Sequence, residues 1–315
     1  MPKSITVNEP ATLLAFLFAT WPDEKKKQIR TWLKYQAVSV NGRPVTQFDH
    51  PLKPGDTVSI RSDRSAVPKA TLPSGMKIYH EDATVMVIEK PEDLLSTASE
   101  AEPERTAYFQ LTEYLRENRP RSTDRVWIVH RLDRETSGLM VFAKTAAAKT
   151  ALQEDWDKVT KVYEAIVEGR LPLDHGTFSC HLDETSPFKV YSAARPSERT
   201  RLAVTHYRVL QRTRNRTLVE LTLETGRRHQ IRVQLADAGC PIVGDEKYGA
   251  KTDPVKRLAL HARSLRFIHP VTKKELSFES PLPRVLGRLV EKSNSLDPVK
   301  HQEPSTKHQR NSKRP

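Results

Sequence analysis

Apolar positions along the chain recur with helical spacing in some segments and with strand spacing in others. Near the start, Leu13, Leu14, Leu17 and Phe18 form a helical stripe, with Thr12 placed to cap it. Pro22 and Asp23 stop that helix and open a second one. The second helix carries Lys25, Lys26, Lys27, Arg30 and Lys34 outward, with Ile29 and Leu33 inward. AVSVNGRPV then alternates around Asn41-Gly42, a pair that suits a two-residue hairpin because both central residues need positive φ. Gly55-Asp56 turns into the strand TVSI. Residues 62–75 hold Ser, Pro, Lys and Gly without periodicity and read as a linker. The expected division is a small α+β module over 1–61, the linker, a large domain over 76–292 and a polar tail over 293–315.

Beyond Met76 strands and helices alternate. VMVIEK (85–90) and RVWIVH (125–130) are predicted core strands, and TAYFQLTEYLREN (106–118) and TAAAKTALQEDWDK (145–158) predicted helices. HYRVLQ and TLVELTLE read as two strands joined by the basic turn RTRNR. The tail after Ser293 holds five basic residues against two acids and is expected to be disordered.

Charge narrows the partners. The 315 residues carry 52 lysines and arginines against 39 acids, a net charge of +13, of which the tail supplies only 5 − 2 = 3. A polyanion is therefore the first partner to weigh, against the alternative of a merely soluble basic protein. Cys180 and Cys240 have no cysteine near them, which argues against a disulfide framework or a cysteine zinc site and fits a reducing cytoplasm. The polar start shows no signal peptide, and the run Leu13 to Trp21 is far below the ~20 residues a bilayer needs.

Candidate chemistry concentrates in three stretches. In RVWIVHRLDRETSGLMVFAK (125–144), two apolar runs flank a polar segment, so Asp133 is expected on a loop between strands. Arg131 and Arg134 stand near it in sequence, and cations within ~4–6 Å would keep its carboxylate ionised and able to act as nucleophile or base. The alternative is a surface ion pair. In LETGRRHQIRVQLADAGCPIVGDEKYG (223–249), a helix is expected from about Arg228 to Ala238. Arg227, Arg228, His229 and Arg232 would crowd its first turns, an arrangement that opposes the helix dipole unless anions sit opposite. The alternative is a solvated basic face. In KVYEAIVEG (161–169), Tyr163 could stack on a base or be a core residue.

Together, HRLDRETSG, KVYEAIVEG, TGRRHQIR with GDEKYG, and LALHARSLRFIHP resemble, in order and spacing, the RluA-type pseudouridine synthases over roughly residues 76–288. KYQAVSVNGRPV with LKPGDTVSI resembles the alpha-L RNA-binding module. The resemblance implies an α+β fold with a mixed, largely antiparallel sheet around a basic cleft. It implies an isomerase that detaches uracil from ribose, turns it and rejoins it through carbon 5. Within it, Asp133 is the essential carboxylate, Tyr163 the active-site tyrosine and Arg232 the partner of the aspartate. Arg131 supports the site or a phosphate. From their charge and placement rather than the resemblance, Arg227, Arg228, His229, Lys26, Lys27 and Arg30 are expected to contact RNA. No metal or cofactor is called for, ribosomal RNA is the expected partner, no membrane is involved, and a monomer is the default. Attack on the sugar and proton removal to a glycal both stay open. Transfer RNA as substrate and a non-catalytic assembly factor are the rival readings. EKPEDLL departs from the pattern, since Glu92 and Asp93 stand where a small residue and glycine are common, and Gln234 replaces a common histidine.

Overall fold

The structure, a computed structural model, describes residues 3–34, 38–60, 70–98, 102–118 and 125–291. The tail over 293–315 and residues 62–69 of the linker lie outside the described residues. The amino-terminal elements are β1 (Lys3–Thr6), β2 (Ala11–Thr12), α1 (Leu13–Thr20), α2 (Lys26–Lys34), β3 (Val38–Val40), β4 (Arg43–Pro44), β5 (Pro51–Leu52) and β6 (Thr57–Ile60). Four of these strands form one sheet in the order β1-β6-β3-β4. Its core is closed by Leu13 and Leu17 from α1 and by Ile29 and Leu33 from α2. Thr12 takes the cap position of α1 without a side-chain bond. Asn41 and Gly42 both adopt positive φ, and the Asn41 amide donates to Asp56 at 2.8 Å, tying the hairpin to the turn before β6.

The second set comprises β7 (Ala70–Thr71), β8 (Lys77–Glu81), β9 (Val85–Lys90), α3 (Ala107–Asn118), β10 (Trp127–Ile128), β11 (Ser137–Ala143), α4 (Ala146–Glu154), β12 (Thr160–Glu168), β13 (His175–Asp183), β14 (Tyr191–Ala193), β15 (Thr200–Arg212), β16 (Arg216–Leu223), α5 (Gln230–Asp237), β17 (Leu260–Ile268), β18 (Glu275–Glu279) and α6 (Arg284–Gly287). All twelve strands join one sheet, in the order β14-β13-β15-β16-β12-β17-β11-β9-β8-β7, with β10 on β11 and β18 on β17. Every pairing is antiparallel except β11 with β17. The mixed, largely antiparallel α+β architecture is the one the motifs implied.

Three local differences from the sequence reading have physical causes. Residues 70–75, read as linker, form β7 and the turn into β8. The strand expected over RVWIVH pairs at only two positions, because the His130 ring takes the Val141 N–H that a longer ladder would use. The helix expected from Arg228 begins at Gln230, because His229 before it is left-handed, with φ 53°. Among the described residues no helix is long and apolar enough to cross a membrane.

Candidate active site

Asp133 lies on the loop between β10 and β11, and the rear of that loop is firmly anchored. The buried Lys90 amine, at the end of β9, donates to the carbonyls of Pro91, Leu94 and Arg134 at 2.8, 2.7 and 3.0 Å. Burial pulls Lys90 down to about 7 against the opposing charges of Asp133, Glu135 and Glu92. Three carbonyl acceptors need three N–H donors, which only the ammonium supplies, so this geometry fits the charged form. The Ser96 hydroxyl donates to the Leu132 carbonyl at 2.7 Å and accepts the Leu132 N–H at 3.1 Å. At the far end of the loop, Ser137 Oγ accepts from Arg257 at 2.7 Å and lies 2.9 Å from His261 Nδ1. Gly138 has φ +121°, and a β-carbon there would overlap the backbone of Ala262, so only glycine fits.

His130 is part of this anchoring. Its Nε2 accepts from Val141 at 3.1 Å, and its ring lies 4.4 Å from that of Trp156. Burial, with Lys161 adding to it, holds His130 down to about 3, so the imidazole stays neutral near pH 7.

The facing wall comes from α5. Arg232 is buried there and grips Asp245 through two bonds of 2.8 Å from Nε and Nη2. Its remaining Nη1 stands 3.5 Å from Asp133 Oδ2 and 3.4 Å from Glu135 Oε2. Burial opposes the Arg232 charge, but Asp245 outweighs it, and the guanidinium is held above its usual value. His229 Nε2 lies 4.0 Å from the same Asp133 oxygen. Tyr163 completes the site from β12, where the register against β17 shifts between Val162 and Tyr163, a bulge that re-aims a side chain. Burial, then the Asp133 charge, raise its hydroxyl well above the ordinary tyrosine range, so it stays protonated. Asp133, Tyr163, Arg232, His229, Arg131 and Arg227 share the lining of one cavity of about 90 Å³.

Several sequence expectations need correction. Arg134 does not face Asp133; its guanidinium binds Asp93 at 3.0 Å and Glu102 at 2.7 Å. Asp133 is paired instead across the fold, with Arg232. Arg228 is not available as a phosphate contact in this geometry, because its guanidinium donates to the carbonyls of Glu184, Ser186 and Pro187. His229 is mostly buried against Tyr248 and Asp133 rather than presented outward. Arg131 and Arg227 are exposed at the cavity. Lys26, Lys27 and Arg30 are exposed on α2, outside the cavity lining, with Lys26 and Arg30 over the Phe18 ring at 5.8 and 5.6 Å. Two acids on Arg232 have no assigned role in the sequence reading: Asp245, whose motif GDEKYG was visible, and Glu135.

The departure at Glu92 and Asp93 is now accounted for. Asp93 takes φ 56°, a backbone that glycine adopts readily and aspartate tolerates, and bridges Arg134 and Arg105. Glu92 pairs with Arg257 at 2.8 Å. Gln234 is buried and satisfied, accepting from Thr205 at 2.6 Å and donating to the Ala203 carbonyl at 3.0 Å.

The chain is similar to known proteins over most of its length. The RNA pseudouridylate synthase family profile matches residues 84–237. Ribosomal large subunit pseudouridine synthase D of Escherichia coli (strain K12) is 33% identical over 292 residues, covering 86% of this chain and 87% of that protein. An uncharacterized RNA pseudouridine synthase of Bacillus subtilis (strain 168) is 35% identical over 281 residues, covering 88% and 92%. The solved human RNA pseudouridylate synthase domain containing 4 superposes with a TM-score of 0.57 at 29% identity, over 67% of this chain and 92% of that one. With the sheet, the loop and the motifs in place, the chain belongs to the RluA-type RNA pseudouridine synthases, isomerases that convert uridine in RNA to pseudouridine.

Proposed function

We propose that the chain modifies uridine in ribosomal RNA with Asp133 as the reactive carboxylate, Arg232 as its partner and Tyr163 against the target base. One observation carries the reading. Asp133 Oδ2 faces Arg232 and His229, while among the described residues no hydrogen bond occupies Oδ1, and Tyr163 lines the same cavity. A carboxylate steadied on one oxygen keeps the other for the ribose, either to attack carbon 1 or to take a proton. The protonated Tyr163 phenol favours a stacking and donor role over that of a base at neutral pH. Exposed Arg131 and Arg227 would meet phosphates at the cavity mouth, and flipping the base costs a few kcal/mol that such contacts offset.

Ribosomal RNA is favoured because relatives covering most of the chain are named for the large ribosomal subunit. Residues 1–61 would act as the RNA-binding module through Lys26, Lys27 and Arg30 on α2, and the work would be cytoplasmic. The test is tritium release from carbon-5-labelled uridine in transcribed large-subunit ribosomal RNA. Asp133→Asn should abolish release while RNA binding persists, and full activity would sink the mechanism. Mapping pseudouridines in ribosomal and transfer RNA with and without the gene decides the substrate.

A further inference from the structure

His229 occupies a costly backbone position. A side chain in the left-handed region costs ~1–2 kcal/mol, and such strain often marks a functional constraint. The position sets the imidazole between Asp133 and Tyr248. Tyr248 meets the ring edge-on, with centroids 5.6 Å apart. Its own ring carries two cations, Arg232 at 5.3 Å and Lys189 at 5.1 Å.

The hydrogen bonds around Tyr248 favour one tautomer of His229. The phenol oxygen accepts the N–H of Val190 at 3.0 Å. A peptide N–H can only donate, so that contact does not use the phenol proton. The other partner of the hydroxyl is His229 Nδ1, at 2.7 Å. The phenol proton is thus free for Nδ1, an arrangement that puts the ring proton on Nε2, the nitrogen facing Asp133 Oδ2 at 4.0 Å. Burial keeps the imidazole toward its neutral form. Asp133 opposes this, while Arg232, Lys247 and Arg228 reinforce it.

We propose that His229 is a positioning residue for Asp133, with Tyr248 selecting the tautomer that turns an N–H toward Oδ2. The inference rests on Asp133 being the reactive carboxylate. Together with Arg232 it places two donors on one oxygen and leaves Oδ1 to the substrate. The 4.0 Å separation is longer than a hydrogen bond, and contacts of this kind tighten when substrate fills a site. A phosphate contact, the role His229 had from sequence, would act on RNA affinity; a positioning residue acts on turnover.

The test uses the full-length chain and transcribed large-subunit ribosomal RNA carrying carbon-5-labelled uridine. His229→Leu should lower kcat on the order of 10²-fold with KM within about twofold of wild type. His229→Gln, which keeps an N–H, should recover about tenfold of that loss. Nitrogen-15 spectra of histidine-labelled wild type should show Nε2 protonated and Nδ1 bare at His229, and Tyr248→Phe should remove that preference. A wild-type spectrum with Nδ1 protonated overturns the proposal, as does a loss confined to KM. If His229→Leu turns over normally while Asp133→Asn is inactive, this inference fails and the reading of Asp133 stands. An active Asp133→Asn overturns both.

Discussion

The loop bearing Asp133 has a tight rear face and a slack front face. Behind it, Lys90 makes three bonds of 2.7–3.0 Å, and Ser96 brackets Leu132 at 2.7 and 3.1 Å. In front, the Asp133 carboxylate meets its partners only at 3.5 and 4.0 Å. Even Arg232 shows the split, since two of its nitrogens hold Asp245 at 2.8 Å and the third hangs back from Asp133. The backbone is fixed so that the carboxylate need not be. A carboxylate saturated with short bonds would be stable and poorly reactive; one on a rigid mount with loose partners keeps an oxygen for the substrate.

The contrast can be broken most severely at its firm end. Asp245→Asn removes the bidentate acceptor and leaves Arg232 buried without a full counter-charge, which should cost about 3–5 kcal/mol in urea unfolding. Arg232 would then close onto Asp133, and activity should fall along with stability. A change under about 1 kcal/mol would show that Asp245 is not the anchor.

A titration reaches the rear face. Burial, against the opposing Glu89 charge, holds His261 down to about 4, below the 6.5 of an ordinary histidine. The unfolded chain therefore binds more protons between those values, so stability rises with pH across that window. It should be full above 6.5 and fall as pH drops toward 4, by on the order of 3 kcal/mol from His261. His130, held near 3, adds a loss of the same sign. Unfolding free energies that stay level across the window would contradict both assignments.

Smaller perturbations sharpen the comparison. Ser137→Ala strips a partner from both Arg257 and His261 and should cost about 1–3 kcal/mol, read as a lower melting temperature. Asp93→Gly loses two ion pairs on a side chain that is 64% exposed but suits the backbone, so stability should move by less than about 1 kcal/mol. A large loss there would extend the tight face to the solvent side of the loop.

What could be read from the chain followed from contiguity. Asp133 between strands, Tyr163 on a strand and Arg232 on a helix all sit inside long local patterns, and so does the Asn41-Gly42 hairpin. What escaped depended on direction or distance. Arg134 adjoins Asp133 in sequence, yet successive loop side chains diverge, and Arg134 finds Asp93 and Glu102. The start of α5 slipped because no propensity scale anticipates a left-handed histidine. β10 came out short because a side chain replaced a ladder bond, which apolar alternation does not reveal. The anchoring role of Asp245 exists only once Arg232 has been carried to it.

The parallel pairing of β11 with β17 has a consequence for how the enzyme comes into being. Ser137 and Gly138 are set against His261 and Ala262, and His261 lies 124 positions after Ser137 in the chain. Contacts so far apart in sequence form late, because the intervening chain must first lose its freedom. During synthesis, a chain that has emerged only through Arg232 already carries Asp133, Tyr163 and that arginine, but not the strand that seats the loop. Assembly of the proposed site therefore waits for β17, and a nascent chain that stops short of it holds Asp133, Tyr163 and Arg232 without the strand to which β11 and β12 both pair.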